Sequence, residues 1–177
     1  MFKCFFEQSS DVGRFRFGGK IDITDPCYNK DVRGRFTVAS KTGDYKCRVS
    51  TTDDGRVVAA IIIKHVDLPD EHMNFKFGTE LVGHIGVDAG LAGFFNEKPD
   101  YISNGTWGAV CNEMSIQEEQ GARHFFNKDG FFAMSGYGDG CYEVYGHQCG
   151  CDTYDALCIV FVPPDDDECE DDEIGFI

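Results

Sequence analysis

After Lys128 the sequence contains no lysine or arginine, while 13 acidic residues fall in that segment. The whole chain of 177 residues carries a formal charge of −15. Acidity on this scale repels nucleic-acid phosphates and anionic lipid, which excludes both as expected partners. No apolar run approaches the ~18 residues of a membrane-spanning helix. The opening MFKCFFEQSS carries no signal-type hydrophobic stretch, so a cytoplasmic location is expected. No repeat, heptad or nucleotide-binding βαβ alternation is present. These absences leave a soluble, strand-rich body as the expected class.

Hydrophobic residues make up 42% of the chain, and 16 phenylalanines supply enough apolar area for a real core. Nine cysteines is a high count, but the number is odd. With a cytoplasmic location the thiols are expected to be reduced, with Cys47 and Cys158 acting as small core residues in strand-like runs. The charge is uneven. Residues 1–56 carry 11 basic against 8 acidic side chains, which leaves room for a local anion site near the front.

Strand signals dominate the pattern. FRFGGKIDIT (15–24) and RGRFTVAS (33–40) alternate apolar and polar residues. Residues 44–66 read as a hairpin turning at Asp53-Asp54-Gly55, and the AAIII arm, apolar on both faces, predicts a central covered strand. FKFGTELVGHIGVD (75–88) predicts another strand, AGLAGFFN (89–96) one or two helical turns capped by Asp88, and CNEMSIQEEQGARHF (111–125) a helix ended by Gly121. A second hairpin is expected around Asn127–Gly130, and ALCIVFV (156–162) as a last buried strand. The fold class is therefore mainly β, sandwich-like or a strongly bent antiparallel sheet, with one or two short helices. Residues 1–164 are expected to form one domain. Residues 165–177 form a tail whose DDDECEDDE segment has eight acids in nine positions.

The chemistry-bearing residues gather around turns. In SGYGDGCYEVYG (135–146), Gly136, Gly138 and Gly140 either bend one strand into the next or line a ligand's approach, with Asp139 as an acceptor. The stretch lacks the Lys-Ser/Thr ending of a phosphate-binding P-loop. DPCYN (25–29) sets Cys27 and Tyr28 beside a turn, where Asp25 is expected to bind backbone and Cys27 to pack inward; a nucleophilic Cys27 would need a lowered pKa and a histidine. Asp88 lies between a strand and the next element. HQCGCD (147–152) has the wrong cysteine spacing for a paired zinc site, so no metal and no cofactor are expected. Arg14, Arg16, Lys20, Arg33 and Arg35 alternate with Phe15, Phe17 and Phe36. Period two puts Arg14 and Arg16 on one strand face, as an exposed edge or as contacts to a phosphate-bearing ligand.

IDITDPCY, VDAGLAGFF, SGYGDGCYEVYG and ALCIVFV, in this order and spanning most of residues 21–162, resemble the recurring blocks of the bacterial and phage domain-of-unknown-function family 4241. The most distinctive is GDG-x-Y, here Gly138, Asp139, Gly140 and Tyr142. The resemblance implies a compact β-rich domain and no established activity.

No nucleophile-base pair stands out, so the sequence favours a non-catalytic binding protein. It would capture a small ligand, including a nucleotide-like one, or a partner protein in phage–bacterium conflict. Its expected site gathers Asp25, Asp88 and Asp139 with Cys27, Tyr28, Gly136, Gly138, Gly140, Tyr142, Arg14 and Arg16. Two other classes stay open. One is an acidic interaction protein, a toxin immunity factor or nucleic-acid mimic, that meets a basic partner through its C-terminal segment. The other is a hydrolase using the aspartates or Cys27.

Overall fold

The computed structural model describes residues 6–73, 80–150 and 152–163. Six strands form one antiparallel sheet in the order β1 (Ser10–Phe17), β4 (Gly43–Thr51), β5 (Val58–His65), β11 (Tyr154–Val160), β10 (Gly140–Gln148) and β6 (Glu80–Val87). Five form a smaller one, ordered β3 (Phe36–Ala39), β2 (Lys20–Thr24), β7 (Leu91–Phe95), β9 (Gly130–Met134) and β8 (His124–Phe126). A helix, α1 (Trp107–Glu119), and a 3-10 turn at Asp70–Met73 complete the described elements. The expected mainly β, sandwich-like class is what the chain adopts.

Alternation along each strand builds the layers. Ile21 and Ile23 of β2 and Phe94 of β7 face Ile61 and Ile63 of β5 and Leu157 and Ile159 of β11, forming the core between the sheets. The other face of the large sheet buries Ala60, Ile62, Ala156 and Cys158 beneath Phe6 and Leu68. The other face of the small sheet buries Phe95, Phe125 and Phe132 beneath Tyr101, Trp107 and Val110 of the α1 region. This explains β5, buried at every position: it lies inside its sheet and is covered on both sides. Cys47 and Cys158 are buried core thiols; with Cys27, Cys111 and Cys141 they are unbridged.

The hairpin of β4 and β5 turns where the sequence places it, with Gly55 N–H donating to Thr52 O at 2.7 Å. So does the β8–β9 hairpin, whose Asn127 Oδ1 accepts from the amides of Asp129 and Gly130 at 2.9 Å each. The helix begins four residues earlier than its composition suggests, at Trp107, and stops before Gly121.

Two expectations are corrected. FRFGGKIDIT is not one strand: β1 ends at Phe17, the chain crosses at Gly18-Gly19, and β2 begins in the other sheet. Alternation runs through both halves, so sequence period could not reveal the crossing. AGLAGFF forms no helical turn. It is the strand β7, and Asp88 sits in the turn before it rather than at a helix cap. The five residues of β7 are all buried between two layers and two neighbouring strands, and that tertiary burial overrides any local helical tendency. Residues 75–79 of the strand expected at 75–88, and the tail, lie outside the described residues.

Within β7, Gly93 lets the backbone of β9 approach. A Cβ there would overlap Phe132 Cβ and Phe131 O. Gly93→Ala is therefore expected to destabilise the protein by about 3 kcal/mol through overpacking, read as a lowered urea midpoint at unchanged slope.

Candidate functional site

The turn chemistry of DPCYN and GYGDG brings the three expected aspartates to one place. Asp25 follows β2 and is fully buried. Its Oδ1 accepts from Cys27 N–H at 2.7 Å, and its Oδ2 accepts from the amides of Asp88 and Ala89 at 2.9 and 2.8 Å. Three backbone donors on one carboxylate compensate its burial and lock the 25–28 turn to the turn ahead of β7. Asp139 Oδ1 accepts from Gly90 N–H at 3.0 Å on that same turn. Tyr28 is buried nearby, and its phenol is pushed up to about 12 first by burial and then by the Asp88 carboxylate.

GYGDG is a turn docked on its neighbours. Gly136 and Gly138 take φ of 57° and 118°, and Ser135 N–H donates to Gly90 O at 2.9 Å. Tyr142 folds back to donate to Ser135 O and Gly138 O at 3.0 and 2.6 Å. Gly140 opens β10 beside this tie. The expected residues Asp25, Tyr28, Asp88 and Asp139 thus meet, and the hydrogen bonds of Asp25 and Asp139 run to backbone amides. Cys27 sits among them with its thiol pushed up to about 12, first by burial and then by the nearby Asp25, the reverse of what activates a nucleophile. Arg14 lies exposed on the edge strand β1 opposite Lys46. In HQCGCD, His147 meets Asp155 at 2.6 Å across the β10–β11 hairpin, and Cys151 is outside the described residues.

A different set of side chains lines open space. β2 points Ile21 and Ile23 into the core, so Lys20 and Asp22 face the other side, beside the edge strand β3. Asp22 accepts from Thr37 Oγ1 at 2.5 Å, from Arg35 Nη2 at 3.2 Å and from Lys98 N–H at 2.7 Å. The Arg35 and Asp22 side chains are only 9% and 10% exposed. Arg35 Nη1 is buried and meets no acceptor among the described residues. Leaving such a donor unsatisfied costs about 1–3 kcal/mol. Lys98 is fully buried, donating to Pro26 O at 3.0 Å and Pro99 O at 2.6 Å, with Nζ 4.7 Å from the centre of the Tyr101 ring. Burial, with Arg35 nearby, pulls its ammonium down to about 8.

This network walls a cleft of about 570 Å³, where Lys20, Lys30 and Arg35 meet Asp22, Thr37 and Glu97. Beyond Lys20 and Glu97, which belong to both, lies a second cleft of about 770 Å³ bordered by Arg16, Gly18, Gly19, Thr42 and Asp129. Asn96 braces the second lobe, its Oδ1 accepting from Gly18 N–H and its Nδ2 donating to Arg16 O, both at 2.8 Å. Glu97, at the junction, holds φ of 39°, a left-handed backbone rare for a side-chain-bearing residue and often found at functional sites. Lys20, Arg16 and Arg35 belong to the alternating basic run seen in the sequence. Asp22, Lys30, Thr37 and Glu97 were not expected. The polar phase of KIDIT was the one local signal for Asp22, and its partners come from elsewhere in the chain.

No family model, curated protein or solved structure matches the chain.

The titrations fix the sign of the alkaline response. Folded Cys27 keeps its proton to about 12, against 9.0 for an ordinary thiol, so above about pH 9 the folded form binds more protons and stability falls. Lys98 opposes this. Between about 8 and its ordinary 10.5 the unfolded chain holds the extra proton, so its contribution rises with pH. Burial also raises the thiols of Cys47 and Cys158, so the three cysteines outweigh Lys98. Melting temperatures should therefore fall above pH 9, and Lys98→Met should fall more steeply than the parent between pH 8 and 10.5. Equal slopes would show that burial does not perturb Lys98.

Proposed function

We propose that the protein is a non-catalytic binding protein that captures a small molecule in the two-lobed cleft between β2, β3 and the 96–98 turn. The observation that carries this reading is the junction at Lys20 and Glu97. Two clefts of small-ligand size meet there, and their walls are held by Asp22 and Asn96 through hydrogen bonds to backbone and side chains. A wall fixed in this way loses little freedom when a ligand arrives, and that favours affinity.

Binding is favoured over hydrolysis by the state of the groups a hydrolase would use. Cys27 is held as a thiol. The Asp25 carboxylate is spent on three amides. The acidic segment at 165–173, the working surface of the interaction-protein reading, lies outside the described residues.

Gly19 borders the second lobe, and a Cβ there meets only Thr42 Oγ1, at an ordinary 3.7 Å. Gly19→Phe should fill the lobe and change folding stability by no more than about 0.5 kcal/mol. A thermal-shift screen over neutral, cationic and anionic metabolites should find compounds that stabilise the parent and not the variant. Compounds that stabilise both equally, or none that stabilise the parent, would remove this reading.

A further inference from the structure

We infer that the first lobe is an oxyanion subsite and that the ligand is a phosphomonoester of a polyol, its phosphate held by Lys20, Lys30 and Arg35 and its hydroxyls turned towards Glu97 and Asp129. The inference rests on the small-ligand reading and names the chemistry of that site.

Arg35 supplies the first observation. One arm of its guanidinium is tied to Asp22, while Nη1, on a side chain more than nine-tenths buried, has no acceptor among the described residues. A buried donor without a partner points to an ion that belongs beside it. The planar fork matches two oxygens of one phosphate. Nη1 shows no surface of its own, so engaging an anion requires the guanidinium to turn towards the cleft about its hydrogen bond to Asp22, 3.2 Å long.

Charge supplies the second, independent observation. Lys20 and Lys30 reach the same lobe from different segments, and neither forms an ion pair with a described residue. The lining of the lobe sets three cationic side chains, Lys20, Lys30 and Arg35, against the two carboxylates of Asp22 and Glu97. The second lobe is mixed in charge, with Arg16, already paired with Asp44 at 3.1 Å, and the shared Lys20 on its border. The Glu97 and Asp129 carboxylates border it, and Asp129 Oδ2 accepts from Tyr101 at 2.8 Å. Carboxylates at that end would repel a second phosphate and accept hydrogen bonds from hydroxyls. A cationic lobe joined to an acceptor lobe selects a molecule with one anionic end and one hydroxylated end.

Calorimetry with ribose 5-phosphate, inorganic phosphate and ribose as probes tests this on the full chain. Ribose 5-phosphate should bind at least tenfold more tightly than phosphate, and ribose should give no heat. Lys30→Gln, a change at an exposed residue, should weaken ribose 5-phosphate about tenfold, and Arg35→Gln by more if it folds. Glu97→Gln should narrow the gap between ribose 5-phosphate and phosphate. Binding indifferent to Lys30→Gln, or phosphate as tight as its ribose ester, would overturn the inference. If the metabolite screen finds ligands that Gly19→Phe blocks and none carries phosphate, the ligand class is wrong and the small-molecule site stands. If nothing binds, both fall.

Discussion

Asp22 carries a charge into the wall of the smaller sheet, and its two oxygens receive three donors from different segments. Thr37 comes from the neighbouring strand, Arg35 from the loop before it, and the Lys98 amide from the turn after β7. A carboxylate this buried is tolerable only when its lone pairs are met, so the three segments are bound to one geometry. The cleft follows from that constraint. Its floor is the Asp22–Arg35 pair, its rim is Thr37 and Glu97, and the position of Glu97 is fixed because Lys98, the next residue, is anchored inward.

Asp25, three residues on, does comparable work for the other end of the same strand. It spends its carboxylate on amides of Cys27, Asp88 and Ala89, and so joins the turn after β2 to the turn before β7. The two aspartates differ in what they leave behind. Around Asp25 the donors are backbone groups. Around Asp22 one donor is an arginine whose Nη1 meets no acceptor among the described residues, beside two lysines that form no ion pair with a described residue. The first arrangement is complete within the chain, and the second has cationic hydrogen-bonding capacity left for a ligand.

Much of the fold was legible locally. Asp-Gly at 54–55 and Asn127–Gly130 marked two hairpins because these turns need particular residues, and the unbroken AAIII run marked a strand covered on both faces. Local reading failed at Gly18-Gly19 and at AGLAGFF. In the first, alternation continues while the chain changes sheet. In the second, a short apolar piece with small residues fits a helical turn as well as a strand, and only its four-sided burial decides. The meeting of Asp25, Asp88 and Asp139 was legible in outline, since all three lie at strand ends. That Asp25 would bind the backbone of its own turn was legible too; that it would also reach the amides of Asp88 and Ala89, and Asp139 that of Gly90, was not.

The sequence by itself determined the strand-rich class, the apolar core, the hairpin turns and the gathering of basic side chains near the front. All of these depend on residue type and short-range spacing. Only the tertiary structure decided which charges are spent and which remain available. Asp22, Arg35 and Lys98 meet through contacts between residues 13 and 76 positions apart, and whether a carboxylate finds an amide, a guanidinium or open space is set by how the two sheets and their crossing loops pack.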